Sequence, residues 1–368
     1  HLNEGHSALL ALELMVHEMK ERGLDFDTAA QFARRRIVFT NHTLVPAGQE
    51  TYADDMVALL LGRYAEEIGV SVTDIVRLGL VQDSSVFSLT MLSLRMAGVV
   101  NAVSKLHAKK AEEIWRDHPM SSITNGIHLP TWDAVDEDGK PPDRLFKKHT
   151  AAKKVLLSFL KKQSGVSWRS DDLIVGWARR LVSYKRPLAL FEKPNELLRI
   201  AEKHRMRFVV SGQPHPSDTA GQALVRQFEK FSHGVLAGVM AYLPDYTIDT
   251  ARTLIPGCDL WLNTPIVGFE ACGTSGMKAA LNGVLLCSTN DGWVDQVDLA
   301  QWGWVLPDAH VSRHLYELLD QTIAPLFRKR TGGIPTEWEQ RMRIGRETVV
   351  NRFSTTRALR EYIEYLYI

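Results

Sequence analysis

The sequence predicts an α/β protein in two parts, a largely helical region followed by a parallel sheet covered by helices. Three observations carry that prediction. From Asp172 onward, short apolar runs alternate with helical segments, the pattern of strands joined by right-handed helical crossovers. A glycine-rich stretch from Gly268 to Gly283 lies between two such runs, Asp259 to Asn263 and Val284 to Cys287, each read as a buried strand. With 368 residues, 45% of them hydrophobic, the chain has apolar material for two domains.

Taken in order, His1 to Ser7 is a polar, glycine-containing loop. Leu9, Leu12, Val16 and Met19 then form the apolar stripe of a helix that ends near Gly23. The two histidines and Glu4 of the loop lack the spacing of two ligands on one helical face, so capping and loop hydrogen bonds are expected there, not a metal. Asp27 is placed to cap a helix from Thr28 to Arg35. Ile37 to Thr40 reads as a strand delivering Asn41, His42 and Thr43 to its carboxyl end, where α/β folds face open space. From Thr51 to Ala97 the pattern is mainly helical, over Asp54 to Tyr64, Thr73 to Leu78 and Phe87 to Ala97, with Met91, Leu92, Leu94 and Met96 as core positions. Val99 to Val103 returns to strand, Ser104 opens another helix, and Ser122 to Pro130 reads as a strand entering a turn at Asn125-Gly126.

Asp133 to Arg144 is a charged loop containing Pro141-Pro142. Leu145 to Lys162 is a helix whose three Lys-Lys pairs form a solvated basic face. The strands Leu173 to Trp177, Phe208 to Ser211, Val235 to Ala241 and Asp259 to Leu262 then alternate with helices after Pro187, from Asp218 and from Asp249. Thr336 to Ile368 is a charged helical tail carrying Phe353, Tyr362, Tyr365 and Tyr367.

Two groups of residues point to chemistry. In the stretch Gly268 to Gly283, small residues let successive backbone N–H groups converge at a helix start, where the dipole favours an anion. Lys278, in the first turn of that helix, has three readings: a surface group, a phosphate counter-charge, or an amine held for a Schiff base. A nucleotide-binding P-loop does not fit, because Met277 separates Lys278 from Gly276 and Ala279 follows it. The second group is Arg179, Arg180, Lys185 and Arg186, just after a strand. Four cations in a cleft need anionic partners, because like charges repel and burial compounds the cost. Two phosphates would be such partners, and arginine forks suit phosphate oxygens.

The formal net charge of +1 does not point to nucleic acid or a membrane surface. Cys258, Cys272 and Cys287 lie in or beside apolar runs, without metal-type spacing, and read as buried thiols of a reducing compartment. No apolar run approaches the length of a membrane span, so a soluble cytoplasmic protein is expected. The chain opens on His1, inside what reads as a functional loop, so further residues upstream are expected.

The run Glu270 to Gly283, Glu-Ala-Cys-Gly-Thr-Ser-Gly-Met-Lys-Ala-Ala-Leu-Asn-Gly, resembles the pyridoxal-phosphate-binding motif of the α-glucan (glycogen, starch, maltodextrin) phosphorylases, closest to their short bacterial type. The loop His1 to Ser7, Thr40-Asn41-His42-Thr43, the segment from Val99 to His107 and Thr124-Asn125-Gly126 are similar to other segments of that family, in the family's order. The resemblance runs from His1 almost to Ile368. It implies a two-domain GT-B-like glycosyltransferase architecture. Residues 1–121 would be the largely helical remainder of an N-terminal domain, 122–345 a complete Rossmann-like domain for pyridoxal phosphate and phosphate, and 346–368 a helical tail packing back across the domains.

Residue by residue, the resemblance implies that Lys278 carries pyridoxal 5'-phosphate as an internal aldimine. Thr274, Ser275 and Arg179 would hold the cofactor's phosphate, with Tyr246 packed beside it. Arg180 and Lys185 would bind substrate phosphate and, with His42, form the catalytic set. His42, Asn125, Tyr184, Glu270 and Gly273 would contact the glucosyl unit. The implied reaction moves a terminal α-1,4-linked glucosyl unit from glucan to inorganic phosphate, giving α-D-glucose 1-phosphate with retention, and the implied full-length assembly is a homodimer. Cys272 and Ser275 depart from the long-type family members and suit the short type. The family's cofactor-covering loop and most of its first domain are not among these residues. Two other readings remain open. One is a nucleotide-sugar-dependent retaining glycosyltransferase resembling glycogen synthase, which would need the basic pair and Glu270 but not Lys278. The other is a glucan-binding fragment without activity.

Overall fold

Among the described residues, two sets of apolar side chains form separate cores. One gathers Leu2, Leu12, Phe39, Leu92 and Val100, the other Trp177, Phe208, Leu260, Leu285 and Trp338. The computed structural model describes residues 1–45, 49–135, 145–331 and 335–367. It divides into unit 1, His1–Thr124 with Leu359–Ile368, and unit 2, Asn125–Ala358.

Unit 1 begins with β1 (Leu2–Asn3), α1 (Leu10–Arg22), α2 (Phe26–Arg34), β2 (Val38–Asn41), β3 (Thr51–Ala53), α3 (Asp54–Ile68) and α4 (Val72–Gly79). It continues with β4 (Val86–Ser88), α5 (Leu89–Met96), β5 (Val99–Ala102), α6 (Lys105–Ile114) and β6 (Ser121–Ser122). Strands β1, β2, β5 and β6 form a parallel sheet in the order β1-β2-β5-β6, and β3 pairs antiparallel with β4. Gly23, at φ 65°, ends α1 in the left-handed conformation that a glycine adopts without Cβ strain. Leu12 and Val16 are buried as expected, but Leu9 precedes the helix and is exposed. The cap of α2 is Asp25, not Asp27. The helix starts at Phe26, so Asp25 Oδ1 accepts from Thr28 N at 2.9 Å and Asp27 falls in the first turn. The segment expected as helix from Phe87 begins instead at Leu89, because residues 86–88 pair with β3.

Unit 2 contains α7 (Leu129–Trp132), α8 (Leu145–Ser164), β7 (Leu173–Ala178), α9 (Pro194–His204), β8 (Met206–Ser211), α10 (Thr219–His233) and β9 (Met240–Leu243). After these come α11 (Ile248–Gly257), β10 (Leu260–Asn263), α12 (Thr274–Leu281), β11 (Leu285–Thr289), β12 (Trp304–Leu306) and α13 (Val311–Leu318). The last helices are α14 (Ala324–Arg328), α15 (Thr336–Arg352) and α16 (Thr355–Tyr365), of which α16 runs out of unit 2 at Ala358. The six strands form one parallel sheet in the order β12-β11-β10-β7-β8-β9. Every residue of β7, β9, β10 and β11 is buried, as befits strands covered on both faces. Close packing across β7 and β10 requires Gly176, where a Cβ would lie 2.5 Å from Cys258 Sγ and 2.9 Å from the Trp261 ring.

Two expectations are corrected here. β9 begins at Met240, because residues 234–239 are turns whose Leu236 and Val239 fill the core without joining the sheet. The basic face of α8 is not wholly solvated. Lys153 is buried, its ammonium 2.6 Å from Asp259 Oδ2, and His149 Nε2 meets Asp259 Oδ1 at 3.1 Å. The pairs Lys147-Lys148, Lys153-Lys154 and Lys161-Lys162 fall at different angles around the helix, and Lys153 points inward. The charged loop expected at 133–144 lies outside the described residues from 136 onward. The cysteines are free and buried. Among the described residues no helix is long and apolar enough to cross a membrane.

Candidate active site

In a parallel sheet wound in both directions, ligands bind where the strand order reverses, beyond the carboxyl ends of the two central strands. Here those strands are β7 and β10. The basic run follows β7 directly, and the glycine-rich turn follows β10, so the reversal brings together the two segments that the sequence singled out.

The four cations of the basic run go to different places. Arg179 is buried, with Nη1 donating to Glu270 Oε2 at 3.2 Å and Nη2 to Ser275 Oγ at 3.3 Å. Lys185 donates to both oxygens of Glu270, at 2.9 and 2.7 Å. Arg180 is exposed and, among the described residues, makes no hydrogen bond or ion pair, although its charge acts on Lys185 and Glu270. Arg186 leaves the group. Its left-handed backbone, φ 46°, turns the side chain to the carbonyls of Thr264 and Pro265 and to Asp308. A carboxylate, Glu270, is therefore the anionic partner of two of these cations, where the sequence suggested phosphates.

The charge states follow from this packing. Burial, then the neighbouring Arg179, push the Lys185 ammonium down to about 8, against the pull of Glu270. Burial works to raise the Glu270 carboxyl, but Lys185, Arg179 and Arg180 outweigh it and hold the group below its ordinary value. Tyr184 packs against this pair. Lys185 Nζ lies 4.9 Å from the centre of its ring, which stacks on Phe269 at 6.2 Å.

The glycine turn leads into α12 through Gly273, left-handed at φ 82°, a conformation that favours glycine. Because the helix starts at Thr274, its first N–H groups, including those of Thr274 and Ser275, have no intrahelical acceptor and face the same end as the basic run. Ser275 Oγ accepts from Arg179 and, at 3.3 Å, from Trp261 Nε1, which leaves its O–H free to donate to an anion. Lys278 sits in the second turn, not the first. Its ammonium lies 3.7 Å from the centre of the Trp132 ring, and burial lowers it from the ordinary lysine value. No carboxylate pairs with it among the described residues.

The remaining expected residues divide between the units. Asn125 lies in unit 2, where its backbone N–H meets the Cys272 thiol within the glycine turn. Tyr246, between β9 and α11, is half-buried, its hydroxyl pushed up to about 12 by burial and drawn down by the charge of Arg179. His42 lies in unit 1, directly after β2. There its N–H donates to Glu4 Oε2 at 2.8 Å and its Nε2 meets Asn3 Oδ1 at 2.6 Å. Burial, then His6, hold its imidazole below the usual value. Glu4 and His1 are likewise taken up in hydrogen bonds within the unit, to Gly5 N and to Thr40 Oγ1.

Sequence reasoning missed three residues of this site. Trp132 and Trp261 carry no spacing signal that sets them apart from core tryptophans. Asp291 was marked only by the turn dipeptide Asp291-Gly292 after β11.

Comparison with known proteins agrees with the geometry. The carbohydrate phosphorylase family matches residues 1–132 and 121–300. Over 436 residues the chain is 32% identical to a glycogen phosphorylase of Mycobacterium tuberculosis, and over 429 residues it is 30% identical to a maltodextrin phosphorylase of Thermococcus litoralis. Each match covers 100% of this chain and 50% of the relative. A glycogen phosphorylase of Aquifex aeolicus is 28% identical, with 100% of this chain and 62% of the relative covered. The chain thus spans about half to three-fifths of the length of these relatives. With matched segments that include both the basic run and the glycine turn of the described site, this chain belongs to the carbohydrate phosphorylase family.

Proposed function

We propose that this chain is the phosphate- and cofactor-binding portion of an α-glucan phosphorylase, which moves a terminal α-1,4-linked glucosyl unit to inorganic phosphate and releases α-D-glucose 1-phosphate with retained configuration. The observation that carries this reading is the arrangement at the strand reversal. Arg179 and Lys185 converge on Glu270, and Lys278 stands in the second turn of the helix that begins beside them. The similarity to glycogen and maltodextrin phosphorylases supports the substrate class.

The residues present fit pyridoxal phosphate. A Schiff base needs an unprotonated amine, and Lys278 is half-buried, unpaired with any carboxylate among the described residues and depressed by burial. A phosphate needs convergent donors, and the start of α12, the Ser275 hydroxyl and Arg179 provide them. When bound, the cofactor supplies a phosphate group whose second pKa, about 6, suits donation and acceptance of a proton near neutral pH. Thr274, Ser275 and Arg179 hold that phosphate, and Tyr246 packs beside the cofactor. Arg180 and Lys185 bind substrate phosphate, and Lys185, at about 8, is charged at neutral pH. Glu270 accepts from sugar hydroxyls, with Asn125, Tyr184 and Gly273 completing the glucosyl contacts. On this reading the partners are glucan, inorganic phosphate, glucose 1-phosphate and a second copy of the full-length chain. Buried free thiols suit a reducing, cytoplasmic setting.

The test is reduction with borohydride in the presence of pyridoxal phosphate, followed by peptide mapping, alongside an assay for glucose 1-phosphate from maltodextrin and phosphate. A phosphopyridoxyl group on Lys278, absent from Lys278→Arg, is the expected result. An unmodified Lys278 in folded protein overturns the cofactor assignment and favours the nucleotide-sugar reading.

A further inference from the structure

Asp291 follows β11 and is buried to 3% exposure, with no cation against it among the described residues. Its partners are backbone N–H groups. Oδ2 accepts from Glu270 N at 2.9 Å, Oδ1 accepts from Gly292 N at 2.8 Å, and Gly268 N also donates to the carboxyl. The next two residues extend the grip on the same turn. Trp293 N donates to Cys272 O at 3.0 Å, and Gly292, at φ 59°, lies so close that a Cβ would stand 2.3 Å from that carbonyl oxygen. Burial pushes the Asp291 carboxyl above its ordinary value, while the N–H groups of Glu270, Gly292 and Gly268 pull against that rise and satisfy its oxygens. Between Gly268 and Gly273 the one charged side chain is Glu270.

We propose that Asp291 is a positioning residue: by accepting the N–H groups of Gly268 and Glu270 it sets the turn so that the Glu270 carboxylate lies within reach of both Lys185 and Arg179. The contacts from Glu270 to these cations span 2.7 to 3.2 Å. A backbone shift of about 1 Å at Glu270 takes a carboxylate out of hydrogen-bond range, so the anchor at the main chain decides whether the side chain engages. The catalytic meaning of this clamp rests on the phosphorolysis reading; the clamp itself does not.

The test reads the titration of Lys185 by competitive acetylation across pH with mass spectrometry, on the chain without pyridoxal phosphate or glucan. The groups facing Lys185 are Arg179 and Arg180, which depress it, Glu270, which raises it, and the Tyr184 ring. Glu270→Gln leaves the two arginines unopposed and lowers the apparent pKa of Lys185. Asp291→Asn, of the same shape, is expected to shift it in the same direction, and the double variant to match Glu270→Gln alone. A wild-type profile in Asp291→Asn overturns the proposal. So does a double variant that shifts further than Glu270→Gln, since Asp291 would then act on Lys185 by its own charge. A merely structural role lowers the melting temperature without moving this profile. If Asp291→Asn does not fold by circular dichroism, Asp291→Ser, whose hydroxyl accepts fewer N–H groups, is judged by the same criterion. Because the readout needs neither cofactor nor turnover, failure of the phosphorylase reading leaves it interpretable.

Discussion

Lys185 donates to both carboxylate oxygens of Glu270, joining the segment after β7 to the turn after β10 across 85 positions of chain. Each residue is buried enough that neither charge would persist alone. The pair therefore ties the two halves of the site to one electrostatic event, the loss or gain of the Lys185 proton.

That relationship predicts an alkaline limit on phosphate binding. Lys185 is charged below about 8 and neutral above it, so affinity for inorganic phosphate is expected to fall as pH rises through that value. Arginine stays protonated throughout. Lys185→Arg should bind phosphate more weakly at pH 7, because its geometry differs, yet keep that affinity to about pH 9.5. Isothermal titration with phosphate from pH 6.5 to 9.5 checks this, and an identical alkaline fall in both proteins would assign the limit to another group.

At the other end of the sheet, Lys153→Met should destabilise unit 2 by about 3–5 kcal/mol, the usual cost of stranding one member of a buried pair. At about 2–4 °C per kcal/mol, the melting temperature falls by roughly 6–20 °C. Asp259 predicts the pH dependence. Burial opposes its charge, but Lys153 and His149 outweigh it and hold the carboxyl below 3.8. A group lowered on folding stabilises the fold above its unfolded value, so this contribution is complete above about pH 4 and is lost as the pH falls further. Thermal melts of both proteins from pH 3 to 7 should converge at the acid end.

Gly126 is needed for close approach, not for a turn conformation. A Cβ there would lie 2.3 Å from Ser354 O, where Ile127 N donates to Phe353 O at 2.8 Å and Thr355 N to Ile127 O at 3.0 Å. Gly126→Ala should cost about 1–3 kcal/mol by overpacking. Gly62, inside α3 with nothing within 4 Å of its would-be Cβ, is the contrasting case. Gly62→Ala should stabilise unit 1 by about 0.5–1 kcal/mol. Paired denaturant titrations check both signs.

The sequence by itself determined the alternation that builds the parallel sheet, the glycine turn before α12 and the basic run after β7, because each is written in local spacing and local composition. It also marked Lys278, Arg179, Lys185 and Glu270 as chemically unusual. Tertiary structure alone decided what those groups meet. It turned Arg186 away to Asp308, 122 positions along the chain, and sent Lys153 inward to Asp259. It also laid Trp132 over Lys278 and brought Asp291 beneath the turn that carries Glu270. Periodicity reports which face of an element is buried, but not which distant strand end supplies the partner. In a doubly wound sheet that partner is set by strand order, and strand order places β7 beside β10.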